Sequence, residues 1–171
     1  KQKISLQLNS FQLFEKEGCA DISLNISDGD EKITISGTGV GLVDAGFNAL
    51  LGHYNESYRS LNTITLSDLY FQVDHKSSAG LSLKSKTKMK LEFRNDMKDK
   101  TCFSERTTSM GFTGVSVLIK AFEFYMNCEL LFKRLKFLIS EAENRGRSDV
   151  AAKYKYELSK VVDVTNYQTI A

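Results

Sequence analysis

Gly37, Gly39 and Gly41 stand at alternate positions in "ITISGTGVGLVDAGFNALLGHY", Ile33 to Tyr54, where apolar alternation gives way to helical spacing. Glycines ahead of a helix are the material of an anion site, because the helix's first N–H groups are unpaired. The dinucleotide fingerprint fails here, since Leu42 occupies the place of its third glycine, and the Gly-Lys-Ser/Thr of a phosphate loop is missing. A more general arrangement remains: a flexible strand end leading into a helix start, suited to a carboxylate as well as a phosphate. Beside it stands the plainer reading of a tight turn.

Other reactive residue types form no constellation. His53 and His75 lie far apart, with no cysteine or acid at metal-binding spacing. "DGDEK", Asp28 to Lys32, lacks the further ligands of a calcium loop and reads as a hairpin turn. Cys19, Cys102 and Cys128 form no CxxC pair, and their odd number suits a reducing, cytoplasmic setting. Cys128 falls on an apolar helical face, where a small core residue is expected. Lys84, Lys86, Lys88 and Lys90 share one strand face. With no aromatic residue interleaved there, they read as a solvated face or a protected sheet edge, and not as a nucleic-acid platform. No catalytic activity, metal or cofactor is expected from this chain.

The elements that carry these residues follow from periodicity. Ile4, Leu6 and Leu8, then Phe11 and Leu13, alternate with a phase slip at Asn9-Ser10, the mark of a bulge. Ile22, Leu24 and Ile26 repeat the alternation, Asp28-Gly29 signals a hairpin, and Ile33 and Ile35 follow. Val43, Phe47, Leu50, Leu51, Tyr54 and Tyr58 then describe an amphipathic helix with Asp44 in its first turn. The second half restarts with "LNTITLSDLYFQV", with "GLSLKSKTKMKLEFR", where Leu81, Leu83, Met89, Leu91 and Phe93 share a face, and with a third strand in "CFSERTTSMGF". A long helix starts near Val115. Its apolar face, through Val117, Ala121, Phe124, Cys128, Leu131, Leu135, Leu138 and Ala142, is too broad to stay bare. Gly146 reads as a stop and Ser148 as the cap of a last helix through Val150, Tyr154, Leu158, Val161 and Val162.

Phe11-Gln12-Leu13 is echoed by Phe71-Gln72-Val73, and Thr38-Gly39-Val40-Gly41 by Thr113-Gly114-Val115-Ser116. The expected fold is α+β: a βββα unit over about 1–60, repeated over 61–146 with an insertion around "NDMKDKT", and a C-terminal helical extension over 147–171 in the same domain. The chain's 171 residues suit one such domain, and its net charge of +2 gives no global pull toward nucleic acid. No apolar run reaches the about 18 residues of a membrane span.

At Gly39-Val40-Gly41-Leu42-Val43-Asp44-Ala45 the sequence resembles the C-terminal regulatory domain of the 2-isopropylmalate synthase and citramalate synthase family, whose G-x-G-P-V-D-A loop opens a helix. "TSMGFTGVSVLIKAFEFYMN", Thr108 to Asn127, resembles that family's second loop and helix through Ser116, Ala121, Tyr125 and Asn127. The resemblance covers about Ile4 to Leu135. It implies two βββα units, a homodimer, and feedback by leucine or isoleucine bound near the helix starts. The implied ligand residues are Gly39, Gly41, Val43, Asp44 and Ala45 from the first loop, with Thr113, Gly114 and Ser116 from the second. Asp44 would meet the ammonium group or cap its own helix. Leu42 replaces the family's proline, and the catalytic (β/α)8 barrel of the family is absent from this sequence. The implied roles are a regulatory fragment of a synthase, or a free-standing interaction domain that has lost the pocket.

Overall fold

The computed structural model describes residues 3–73, 86–95 and 100–165. The first unit is β1 (Leu6–Lys16), β2 (Cys19–Asp28), β3 (Glu31–Gly39) and α1 (Leu42–Tyr54). A 3-10 turn, Arg59–Thr63, leads to the second unit: β4 (Thr65–Val73), β5 (Thr87–Arg94), β6 (Lys100–Thr107) and α2 (Met110–Asn144). α3 (Ser148–Thr165) closes the chain. Each unit is a three-stranded antiparallel sheet with its middle strand central, in the orders β1-β2-β3 and β4-β5-β6. The expected α+β fold of two βββα units with C-terminal helices is the fold found.

The phase slip is a bulge: the β1–β2 register breaks between Leu8 and Ser10, and Asn9 Nδ2 donates to Ser27 Oγ at 2.7 Å. The extra residue lets Leu6 and Leu8 share the buried face with Phe11 and Leu13 beyond the slip. The hairpin loop falls one residue later than expected, at Gly29-Asp30, because Asp28 pairs with Glu31 and Gly29 takes the positive φ of 61°. α1 stops at Tyr54, so Tyr58 belongs to the approach to the 3-10 turn. Leu81, Leu83 and Lys84 lie outside the described residues, as does most of the "NDMKDKT" insertion. β5 begins at Thr87 and is central, so its lysines protect no edge. Lys88 is exposed and Lys90 half-buried, with Lys90 Nζ 5.4 Å from the Tyr70 ring centre.

The helices form the layer that both sheets share. α1 lies on β3 and β2, and α2 lies on β6, β5 and β1. Phe47 of α1 stacks on Phe93 of β5 at 6.2 Å and meets Phe122 of α2 edge-on at 5.4 Å, joining the two units in one core. At the helix crossing, a Cβ on Gly46 would stand 2.9 Å from Leu118 Cδ1, and one on Gly114 would stand 3.3 Å from Leu42 Cδ2. Each helix thus has a glycine where the other's leucine lands.

A second bulge, between Leu66 and Asp68, marks the second unit. Matching the bulges sets Phe11 against Leu69, and matching the helix starts sets Thr38–Gly41 against Arg106–Ser109. The repeat is real at the level of elements, but neither tripeptide nor tetrapeptide echo overlays in space.

α2 starts at Met110, five residues before Val115, because Ser109 caps it: Ser109 Oγ accepts from the Phe112 N–H at 3.3 Å. At its far end, Gly146 takes φ 68°, its N–H bonds Glu143 O, and the Arg147 N–H bonds Ala142 O, a Schellman close. α3 then packs back along α2.

Candidate functional site at the glycine segment

Gly37 and Gly39 are the last residues of β3 on the face that carries α1. A Cβ on Gly37 would approach Ala45 O to 2.6 Å, and one on Gly39 would approach Asp44 Oδ2 to 2.6 Å. The space that the glycines leave is filled by the helix itself, whose backbone lies directly on the strand. Gly41 differs. It is extended, with φ −158°, and a Cβ there would have only Glu15 Oε1 near, at 3.7 Å.

The start of α1 is largely closed by its own groups. Asp44 Oδ2 accepts from the Val40 N–H at 2.9 Å, and the Ala45 N–H bonds Gly41 O. Asp44 therefore caps the loop that leads into its own helix and favours the helix dipole. Gly41 supplies no side-chain cap to the first-turn N–H groups. The carboxylates of Glu15 and Asp44 lie beside this helix start.

The expected second loop is helix. Thr113 and Gly114 are buried in the first turns of α2. Thr113 Oγ1 lies 2.7 Å from both Ser109 O and Thr107 Oγ1, fastening the end of β6 to the start of α2. Ser116 lines a shallow depression with Leu6, Glu105, Phe112, Lys120 and Glu123. Leu42 brings the start of α1 over Gly114, with Met89 Sδ as the other neighbour at 3.3 Å. Ala45 is fully buried, and Val43 half-buried in the same core. The structure thus gathers Gly39, Asp44, Ala45, Leu42 and Gly114 around one helix–strand–helix junction and gives Ser116 a separate wall.

Two polar clamps on α2 escaped the sequence reading. Asn127 Oδ1 accepts from the Ile4 N–H, and its Nδ2 donates to Ile4 O, both at 2.9 Å, while Glu123 Oε2 accepts from the Leu6 N–H. These side chains satisfy the outer edge at the start of β1. Glu129 is 1% exposed. Its Oε2 accepts from the Ser60 N–H at 2.9 Å, and its Oε1 meets Lys133 Nζ at 2.6 Å. Burial pushes the Glu129 carboxyl up, but the Lys133 and Ser60 bonds outweigh it and hold the group below the usual carboxylate range. The only sequence signal was an acid within an apolar stripe with a lysine four residues on.

Pairing or burial also shifts Glu92, Cys128 and Tyr54. Glu92, bonded to Lys100 at 2.8 Å and to Ser67 of the second bulge, is held low chiefly by the Lys100 bond. Burial pushes the Cys128 thiol up to about 11, which makes it a poor nucleophile. Burial, with Asp28 and Tyr58 nearby, pushes the Tyr54 hydroxyl up to about 12. His53 is exposed with its ring edge-on to Tyr54, and His75 lies outside the described residues. Among the described residues no three His, Cys, Asp or Glu side chains gather as a metal site, and no described helix is long and apolar enough to cross a membrane.

No protein-family profile matches the chain, and no curated protein matches it. The resemblance to the synthase regulatory domain therefore rests on residues and on the βββα repeat alone.

Proposed function

We propose that this chain is a non-catalytic assembly module that keeps the two-unit fold and pairs with a second copy of itself through β4. One observation carries this reading. β4 is an edge strand whose run Leu69-Tyr70-Phe71-Gln72-Val73 has no charge and no proline, and its Leu69, Tyr70 and Phe71 are 45–50% exposed. Such an edge is a template for strand addition. Asn127 and Glu123 bond the start of the β1 edge, and β6 carries Lys100, Glu105 and Arg106.

The run is self-complementary about a two-fold axis at Tyr70. Leu69 then faces Phe71 of the partner subunit, and Asp68 faces Gln72 of the partner subunit, with no like charges opposed. A strand edge alone falls below the about 1,200 Å² of a stable interface, so the dimer is concentration-dependent. Three unpaired thiols fit a cytoplasmic setting for it. Tyr70→Cys, in a chain whose three native cysteines are serines, should oxidise to a covalent dimer. Glu17→Cys, at an exposed turn remote from the axis, should not. Equal cross-linking of both would count against the β4 interface.

A second reading is favoured by the uncapped start of α1: a branched-chain amino acid, leucine or isoleucine, held there as the effector of a (β/α)8 catalytic domain elsewhere in a longer chain. Glu15 and Asp44 beside those N–H groups oppose an incoming carboxylate, so this reading ranks below the first. Calorimetric titration with leucine and isoleucine separates the two, because saturable heat from either supports the effector reading.

A further inference from the structure

The outer half of α2 has two apolar faces, and α3 accounts for one. Phe132, Leu135, Ile139 and Ala142 are buried on the α3 side, whereas Leu131 is 45% and Phe137 68% exposed on the neighbouring side. With Leu130, these residues line a groove of about 690 Å³ closed by Lys3, Asn127, Lys133 and Arg134. Leu130, Leu131 and Phe137 give an apolar floor about two turns of α2 long. A floor of that length can receive the i, i+3, i+4 and i+7 anchors of an amphipathic helix.

The rim decides the partner's charge. Lys3, Lys133 and Arg134 line the groove, and no acid does. Lys133 is committed to Glu129, while Lys3 and Arg134 have no ion-pair partner among the described residues. We propose that this groove docks an amphipathic helix of a partner protein whose leucine-like anchors sit on Leu130, Leu131 and Phe137 and whose flanking carboxylates meet Lys3 and Arg134. α3 of a second copy is a poor fit, because its exposed side mixes Lys153, Lys155 and Lys160 with Asp149 and Glu157, and Glu157 is already paired with Lys160. The site is separate from β4 and does not depend on dimer formation.

The test uses the full chain and a fluorescein-labelled, end-capped helical peptide with leucines at i, i+3, i+4 and i+7 and glutamates between them. Fluorescence anisotropy should show saturable, salt-sensitive binding, weakened at least about tenfold by Phe137→Glu or Arg134→Glu. Both side chains are exposed, so circular dichroism of the variants should match the parent. Arg134→Glu should also shift preference toward the same peptide with lysines for glutamates. Tyr70→Lys, which blocks β4, should bind the glutamate peptide as the parent does. No binding, equal binding of the glutamate and lysine peptides, or binding that survives both groove variants would overturn the proposal. Capture instead by phosphatidylserine vesicles, with the peptide ignored, would overturn it in favour of a lipid surface.

Discussion

At the scale of single residues, the chain uses its glycines for contact and not for flexibility. Gly37 and Gly39 let a helix backbone rest on a strand, whereas Gly41, two residues on, has room for a side chain. Gly37→Ala and Gly39→Ala should each cost about 1–3 kcal/mol in urea unfolding, as overpacking against backbone does. Gly41→Ala should change stability by less than about 0.5 kcal/mol. If the three variants were equally tolerated, the glycines would have another task. Glu129 gives a pH prediction. Its folded carboxyl lies below the ordinary 4.5, so its contribution is present above that value and is lost as pH falls through the lower folded value. Glu129→Gln should therefore flatten the acid limb of a stability-versus-pH curve. Glu129→Ala, which strands the Ser60 N–H, should cost about 3 kcal/mol near neutrality.

At the scale of elements, the period of the apolar residues placed β1, β2, β3, β5 and α1, because each buries one face against the shared core, whereas β4 is largely exposed and β6 ends at Thr107 instead of running on to Phe112. The β1 slip was legible as a bulge for the same reason: an inserted residue reverses the phase. Two things were not legible. The start of α2 depends on a hydroxyl cap at Ser109, and Ser-Met-Gly-Phe looks as much like strand as helix when read only for apolar spacing. The tertiary role of a polar residue such as Asn127 also leaves no periodic trace, since its partners lie 123 positions away. On sequence alone the echoed "TGV" suggests the same helix-start loop twice. In space one copy is a strand end and the other a helix interior, so local identity misled where element order did not. Asn127→Leu should orphan the Ile4 N–H and C=O, lower stability by about 2 kcal/mol, and speed amide exchange at Ile4 and Leu6 before the rest of the sheet. Uniform exchange across β1 would contradict the clamp.

At the scale of the molecule, two short units make one core by placing their helices between two sheets, and the mismatch in helix length shapes the surface. α1 has 13 residues and α2 has 35, so α2 reaches across to fasten β1, while among the described residues no element lies along the outer edge of β4, its counterpart. The longer helix also runs past the sheets and needs α3 to cover it, and that cover is partial. The family resemblance pointed to the fold correctly and to a ligand at the helix starts. At the junction it named, Gly39, Ala45 and Gly114 are packed against the chain's own residues, while Gly41 keeps open space beside it.

The most direct measurement is sedimentation velocity of the parent chain and of Tyr70→Lys over a range of micromolar concentrations. The parent should shift from monomer toward dimer as concentration rises, and Tyr70→Lys, which sets two ammonium groups against each other at the two-fold axis, should remain monomeric with unchanged circular dichroism. A parent that stays monomeric throughout, or a Tyr70→Lys variant that dimerises as the parent does, would contradict the assignment of β4 as the assembly surface.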